Sequence, residues 1–98
     1  MAPPDIIFVD VDDTLVREMG GKRVAIPATI RYVRNRHEAG AKLCCWSSGG
    51  AAYAQQSAAE LGIADCFAAF LPKPNVMIDD QEPGEWRALR VLHPNECS

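Results

Sequence analysis

Short apolar runs alternate along this chain with stretches that favour helix. The first run, residues 6–9 (Ile-Ile-Phe-Val), is uninterrupted, as in a strand that is buried on both faces. Further runs occupy residues 43–46, 66–71 and 76–78, and a weaker one covers residues 88–92. Such alternation indicates parallel strands that are joined by helices. The sequence therefore predicts an α/β fold with a mainly parallel sheet of about five strands, wrapped by helices.

The segments between these runs carry turn and helix signals. Residues 16–26 contain two adjacent glycines among polar and β-branched residues, which predicts a small hairpin or flap. Pro27 suits the first turn of a helix that continues to about Ala39, with a glycine after it. A second helix is predicted over residues 51–61, and a turn or short helix near residues 83–86.

Length and charge limit the class of protein. The chain has 98 residues, which is room for a single domain over residues 1–98. A formal net charge of −3 gives no overall attraction to nucleic acid or to an anionic membrane. No apolar run approaches the roughly 18 residues that a membrane span needs, and the first residues lack a secretion signal. We therefore expect a cytoplasmic protein without a membrane partner.

The cysteines are predicted to be reduced and mostly buried. Cys44 and Cys45 are adjacent in a predicted strand, so their side chains point to opposite faces. Cys66 and Cys97 stand alone, without the CxxC spacing of a zinc or redox site. All four are interpreted as small hydrophobic residues.

Polar side chains follow three of the predicted strands. In an open parallel sheet the ligand crevice lies beyond the carboxyl ends of the strands, so such side chains converge. The first strand is followed by Asp10 and Asp12, the second by Ser47, and the fourth by Asp79 and Asp80, with Lys73 shortly before the fourth strand.

The acidic residues indicate phosphoryl chemistry with a metal ion. Asp10 and Asp12 point the same way in extended backbone, and their repulsion favours one ionised and one protonated carboxyl group. The ionised group can act as a nucleophile, and its partner can move protons to and from the reacting oxygens. With Asp79 and Asp80 the crevice holds four acids, so a divalent cation is needed before a phosphate dianion can enter. Oxygen-rich sites of this kind suit Mg²⁺.

The second strand and Lys73 supply groups that bind phosphate oxygens. Ser47 offers a hydroxyl, and the backbone amides of Ser48, Gly49 and Gly50 lead into the second predicted helix, whose N-terminus favours anions. Lys73 adds a positive charge for the same oxygens. Asp13 and Thr14 are expected to stabilise the turn after the first strand rather than to react.

Four segments together resemble the motifs of the haloacid dehalogenase superfamily. Residues 6–15 (IIFVDVDDTL) resemble motif I, a hydrophobic strand followed by DxDx[TV][LV]. Residues 43–47 (LCCWS) resemble motif II, Lys73 falls where the motif III lysine belongs, and residues 76–80 (VMIDD) resemble motif IV. The motifs span residues 6–80, which is most of the chain.

The resemblance implies a Rossmann-like three-layer α/β/α sandwich and a phosphatase. Asp10 would be the nucleophile that forms an aspartyl-phosphate, and Asp12 the general acid and base. An acid at the position of Asp12 is typical of the phosphatases and phosphotransferases of the superfamily, and water is the expected acceptor. The phosphoryl group would be bound by Ser47 and Lys73. Mg²⁺ would be bound by Asp10, the Asp12 carbonyl and Asp79, and Asp80 would contact a metal-bound water or one of these ligands.

The chain departs from the superfamily in its brevity. Superfamily members commonly insert a cap domain, but residues 16–26 and 64–72 are too short to hold one. A minimal core without a cap has an open site, which by resemblance suits bulky or macromolecular phosphorylated substrates. Most of the basic residues lie between positions 17 and 42, which favours a solvated helix face over a patch for a polyanion. Nucleic acid as substrate and the oligomeric state are both left open.

Two other functions compete with a phosphatase. A receiver-like signalling module also combines acidic residues, Mg²⁺, Ser or Thr, and Lys on a parallel sheet. In receivers the phosphorylated Asp lies on a later strand, whereas the second strand here ends in Ser47. A catalytically silent binding protein of the same fold is the third interpretation, and the presence of Asp10, Asp12, Lys73 and Asp79 argues against it.

Overall fold

The computed structural model describes residues 4–97 of the chain. Its strands and helices follow the predicted alternation as far as the third strand of the main sheet. In chain order the elements are β1 (Ile6–Asp10), β2 (Val16–Met19), β3 (Lys22–Ala25), α1 (Pro27–Glu38), β4 (Lys42–Ser47), α2 (Ala51–Glu60) and β5 (Phe67–Pro72). Short 3-10 turns cover Ala64–Cys66, Pro83–Glu85 and Pro94–Glu96.

The main sheet is parallel, and its order within residues 4–97 is β1-β4-β5. Asp10 at the end of β1 is paired with Trp46, and Ser47 at the end of β4 is paired with Pro72. The register therefore brings the carboxyl ends of all three strands to the same end of the sheet. The α/β class and the parallel direction are as predicted.

Strands β2 and β3 form the predicted hairpin. They pair antiparallel, from Val16 with Ala25 to Met19 with Lys22. The two connecting residues, Gly20 and Gly21, have φ angles of 59° and 79°. Positive φ at both positions of a two-residue turn is costly for any residue with a Cβ, which is why glycine is found at both.

Helices α1 and α2 cover the same face of the sheet. Val9 and Cys45 belong to one buried cluster that also holds Val33 of α1 and Ala54 and Ala58 of α2. The small alanines let α2 approach the strands closely. The crossovers from β1 to β4 and from β4 to β5 advance in the same direction, and right-handed crossovers of this kind place both helices on one side.

The opposite face of the sheet carries no helix within residues 4–97, so two of the three expected layers are seen there. Phe8 and Trp46 pack edge to face on this side with ring centroids 4.8 Å apart. Ile6 is nevertheless 68% exposed and Phe8 45% exposed. In the described part of the chain the helices form one layer, so the arrangement has two layers. A third layer needs a helix after a further strand, and up to residue 97 no such helix follows β5.

The predicted strands at residues 76–78 and 88–92 are wrong for the described structure. Neither segment is paired, and Ile78 is 98% exposed. Pro72 and Pro74 lack the N–H that a strand ladder needs, and three apolar residues between this break and Asp79 form too short a run to order alone. The expected sheet of about five strands is thus a sheet of three within residues 4–97.

The predicted turn and the predicted state of the cysteines agree with the structure. The turn at Pro83–Glu85 is formed where a turn or short helix was predicted. All four cysteines are free; Cys44, Cys45 and Cys66 are buried and Cys97 is half-buried. None of the helices between residues 4 and 97 is both long enough and apolar enough to cross a membrane.

Candidate active site

Asp10 lies at the start of a tight turn that leaves β1. The carbonyl of Val11 accepts backbone hydrogen bonds from Thr14, Leu15 and Val16, so the chain coils around this oxygen. Val11 and Leu15 are fully buried and anchor the turn in the core. The Thr14 hydroxyl donates to Asp10 Oδ2 at 3.2 Å, which agrees with the expected role of Thr14 as a turn hydrogen-bonder.

Asp13 takes the left-handed conformation in this turn. Its φ angle is 61°, and among residues 4–97 it is the non-glycine residue with positive φ. Asp and Asn tolerate this region better than most residues, because their short polar side chains bond locally. Asp13 therefore shapes the turn, as expected, and its backbone N–H donates to the carbonyl of Val16 at 2.7 Å.

Lys73 reaches Asp10 from the far edge of the sheet. The Lys73 backbone N–H donates to the carbonyl of Ser47 at 2.9 Å, which fixes the chain just after β5. From there the ammonium passes within 5.9 Å of the Trp46 ring centroid and contacts Asp10 Oδ1 at 3.2 Å. Strand β4 separates β1 from β5, so this ion pair connects two strand ends that are not neighbours.

Ser47 and the start of α2 form the floor beside this pair. Ser47 is 1% exposed, and its Oγ accepts a hydrogen bond from the Gly49 N–H at 3.0 Å. Gly50 has a φ of 105° and precedes α2, whose first turn receives no capping hydrogen bond from the Gly50 position and contains no acidic residue. Amides of this turn are therefore suited to an anion. Ser48 is exposed next to them.

Tyr53 contacts Asp12, a connection that the sequence did not reveal. The Tyr53 hydroxyl donates to Asp12 Oδ1 at 2.7 Å. Its ring lies on the backbone of Gly49, where a Cβ would come within 2.9 Å of Tyr53 Cδ2. A usable signal existed: Tyr53 is in the first turn of a helix that begins at the predicted phosphate-binding residues.

Arg23 fastens the hairpin to α2 around Tyr53. Its guanidinium donates to the hydroxyl oxygen of Tyr53 at 3.2 Å and to Ser57 Oγ at 3.0 Å, and pairs with Glu60 at 3.2 Å. The guanidinium carbon also lies 5.3 Å from the Tyr53 ring centroid. A depression opens beside these groups, and its lining comprises Asp12, Asp13, Val16, Glu18, Arg23 and Tyr53.

Together these contacts form a closed ring of neighbours around the strand ends. Asp10 contacts Lys73, Lys73 bonds Ser47, Ser47 bonds Gly49, Gly49 supports Tyr53, and Tyr53 bonds Asp12 two residues from Asp10. Thus the structure brings together most of the residues predicted for the site, with Tyr53 as an addition.

Two groups near the ring stay protonated at neutral pH. The hydrogen bond to Asp12, followed by burial, raises the pKa of the Tyr53 phenol above its usual value. Burial, and then the negative charge of Asp10, raise the pKa of the Cys45 thiol to about 12. Cys45 therefore remains a neutral thiol beneath the site and offers no competing thiolate nucleophile.

Asp79 and Asp80 are not gathered with the other acids. Both are exposed, and Asp79 Oδ1 accepts a hydrogen bond from the Gln81 N–H at 2.9 Å. Within residues 4–97 no three His, Cys, Asp or Glu side chains lie close enough together to hold a metal ion. The expected cluster of four acids is therefore not formed there, because no strand at residues 76–78 carries Asp79 to the end of β1.

Oxygen groups in the turn after β1 are of the kind that Mg²⁺ accepts. This ion keeps several waters and is often bound through one or two carboxylates together with substrate phosphate oxygens. The half-buried Asp10 supplies a carboxylate, and the backbone carbonyl of the exposed Asp12 is the second oxygen that the resemblance assigns to the ion. This donor set suits Mg²⁺ better than a softer metal ion.

Several of the basic residues between positions 17 and 42 have partners within the chain. Arg23 pairs with Glu60, Arg36 pairs with Asp5, and Arg34 donates to the Gly62 carbonyl. Because these side chains already have partners, they fit a solvated surface better than a binding patch for a polyanion.

Comparison of the chain with protein-family models, with curated proteins and with solved structures finds no match.

Proposed function

We propose that this protein is a Mg²⁺-dependent phosphatase, a phosphoric monoester hydrolase of the haloacid dehalogenase type without a cap. The observation that carries the proposal is the ion pair between Lys73 and Asp10, at 3.2 Å. A lysine after the third strand and an aspartate after the first would share the oxygens of one phosphoryl group if the aspartate is the nucleophile. The ion pair joins residues at the ends of β1 and β5, which β4 separates, and a phosphoryl group bound at Asp10 would be within reach of Lys73.

The proposed reaction has two steps. First, a carboxylate oxygen of Asp10 attacks phosphorus, the bond from phosphorus to the leaving oxygen breaks, and Asp12 gives that oxygen a proton. Second, Asp12 takes a proton from water, the water oxygen attacks phosphorus, and Asp10 leaves as a carboxylate with release of inorganic phosphate.

The other residues of the ring would hold the transferring group. Lys73 contributes a positive charge that its contact with Asp10 already places at the nucleophile. Ser47 and the exposed Ser48 and Gly49 lead into the free amides of α2, which donate to phosphoryl oxygens. The Asp10 carboxylate and the Asp12 carbonyl would hold Mg²⁺, which supplies positive charge for the phosphoryl oxygens.

A larger, Rossmann-like sheet with Asp79 and Asp80 near the metal ion remains part of the proposal. Strand β1 pairs only with β4 in the described structure, so its other edge is free. Residues 76–78 are apolar and exposed, and they are the run that the sequence offers for this edge. A parallel strand there would end beside Asp10 and would cover part of the exposed surface of Phe8.

The open site supports a proposal on the substrate. The hairpin of β2 and β3, with four residues in each strand, lines the depression beside Asp12 together with Tyr53 of α2. A bulky phosphorylated substrate can reach Asp10 past so small a cover. Water would then be excluded by the substrate or by a second subunit.

The test is phosphate release from p-nitrophenyl phosphate with and without Mg²⁺. The wild type is expected to release phosphate only with Mg²⁺, and Asp10→Asn is expected to abolish turnover while the circular dichroism spectrum is unchanged. Asp65→Asn is the matched control, since it removes the same charge at the amino end of β5 and should keep full activity.

Two outcomes would overturn the proposal. Retained turnover in Asp10→Asn would remove Asp10 from the role of nucleophile. A stable phosphoprotein that forms on the wild type without turnover would identify a receiver-like module instead.

A further inference from the structure

The hydroxyl of Tyr53 has a defined direction of hydrogen bonding. Arg23 has no acceptor atom, so in its 3.2 Å contact the guanidinium donates and the Tyr53 oxygen accepts. The single proton of the hydroxyl is then left for Asp12 Oδ1, at 2.7 Å. The chain from Arg23 through Tyr53 to Asp12 therefore runs in one direction.

This direction has a consequence for the two oxygens of Asp12. An oxygen that accepts the Tyr53 proton at 2.7 Å is a poor place for a proton of its own. A proton on the Asp12 carboxyl group would therefore sit on Oδ2. The bond to Tyr53 also restrains rotation of the carboxyl group, since the Tyr53 hydroxyl that binds Oδ1 is itself bonded to Arg23.

We propose that Tyr53 is a positioning residue that directs the transferable proton of Asp12 to Oδ2. The inference rests on the proposed function, because it assigns to Asp12 the task of protonating the leaving oxygen. In that step the proton moves from Asp12 Oδ2 to the leaving oxygen as its bond to phosphorus breaks. Tyr53 itself keeps its proton throughout.

The placement of Tyr53 is held from two sides, by Gly49 and by Arg23. Gly49 leaves room for the ring, where a Cβ would approach Cδ2 to 2.9 Å. Arg23 lies 5.3 Å from the ring centroid on the hairpin side, and it is itself bonded to Ser57 and Glu60 of α2. A side chain that only filled surface would need none of these hydroxyl and guanidinium contacts.

Leaving-group dependence separates positioning from a structural role. Phenyl phosphate has a poor leaving group that needs a proton, whereas 2,4-dinitrophenyl phosphate has a good one that does not. We compare kcat/KM for both esters in the wild type, in Tyr53→Phe and in Tyr32→Phe. Tyr32 is the other tyrosine of the chain and lies on α1, so it serves as the control for loss of a hydroxyl.

In Tyr53→Phe we expect kcat/KM for phenyl phosphate to fall about tenfold, as part of the effect of a general acid, and that for the dinitrophenyl ester to change less than about twofold. Tyr32→Phe should change neither.

Equal losses for both esters in Tyr53→Phe, or no loss for either, would overturn the role of Tyr53 while leaving the phosphatase intact. If the wild type releases phosphate from neither ester, the proposed function fails and this inference fails with it.

Discussion

At the scale of single residues, the ion pair between Lys73 and Asp10 is the contact on which the proposed chemistry depends. The two side chains remain 37% and 29% exposed, so solvent screens their attraction. Such a pair contributes little to folding. Its value lies in placing positive charge next to the oxygen that would attack phosphorus.

Lys73→Met separates these two contributions. We expect the free energy of unfolding in urea to change by less than about 1 kcal/mol, because the pair is partly exposed. Phosphate release should fall by about 10²-fold, the range for loss of one preorganised group that stabilises charge. A large loss of stability with unchanged turnover would show that Lys73 is structural.

The pKa of Tyr53 provides a test that needs no activity. Because the Asp12 hydrogen bond raises this pKa, the bond stabilises the fold at pH values below the pKa of tyrosine in the unfolded chain, about 10. The stabilisation is lost as pH rises through the higher folded value. We expect the phenolate absorbance of Tyr53 to appear at lower pH in Asp12→Asn than in the wild type. Superimposable titrations would contradict the contact.

Some of these residues were predictable and others were not. Asp10 and Ser47 end strands β1 and β4, and Lys73 follows β5. Because parallel strands align their ends, chain order predicts that these residues converge. Tyr53 and Arg23 meet through side chains of a helix and a hairpin. Neither periodicity nor spacing encodes such a contact, because it depends on the orientation of the hairpin relative to α2.

At the scale of secondary structure, elements with a partner formed as predicted. The runs in β1, β4 and β5 bury Val9, Leu43 and Phe67 against α1 and α2, and each of these strands gains a ladder of hydrogen bonds. Residues 76–78 have comparable apolarity but no partner. A local pattern reports the tendency to form a strand and cannot report whether a neighbouring edge accepts it.

Two alanine substitutions measure this difference. Leu43→Ala, at a side chain that is 1% exposed, should cost about 2–5 kcal/mol of unfolding free energy. Ile78→Ala, at a side chain that is 98% exposed, should change it by less than about 0.5 kcal/mol in Mg²⁺-free buffer.

Repeating both measurements with Mg²⁺ tests the proposed fourth strand. If residues 76–78 join β1 in the presence of the ion, the cost of Ile78→Ala should exceed about 1 kcal/mol, because the side chain then has surface to lose. An unchanged, small cost with Mg²⁺ would show that the sheet stays three-stranded and that Asp79 is outside the site. Leu43→Ala should cost the same in both buffers.

At the scale of the whole molecule, the sheet is covered on one face and open on the other. The covered face holds the core that fixes the strands, and the site lies where their carboxyl ends meet. Ile6 and Phe8 are exposed on the open face, and the proposed strand of residues 76–78 would pair with the free edge of β1. Function in this account depends on the carboxyl ends of the strands, where Asp10, Asp12, Ser47, Lys73 and Tyr53 are linked by their contacts.

The central claim is that Asp10 carries the phosphoryl group, and trapping the intermediate tests it directly. After brief incubation with Mg²⁺ and a phosphate ester, borohydride reduces an aspartyl-phosphate to homoserine. Mass spectrometry of the tryptic peptide that ends at Arg17 locates the change. The account predicts homoserine at Asp10 in the wild type and an unmodified peptide without substrate. Modification at another acidic residue, or none at any time during turnover, would contradict it.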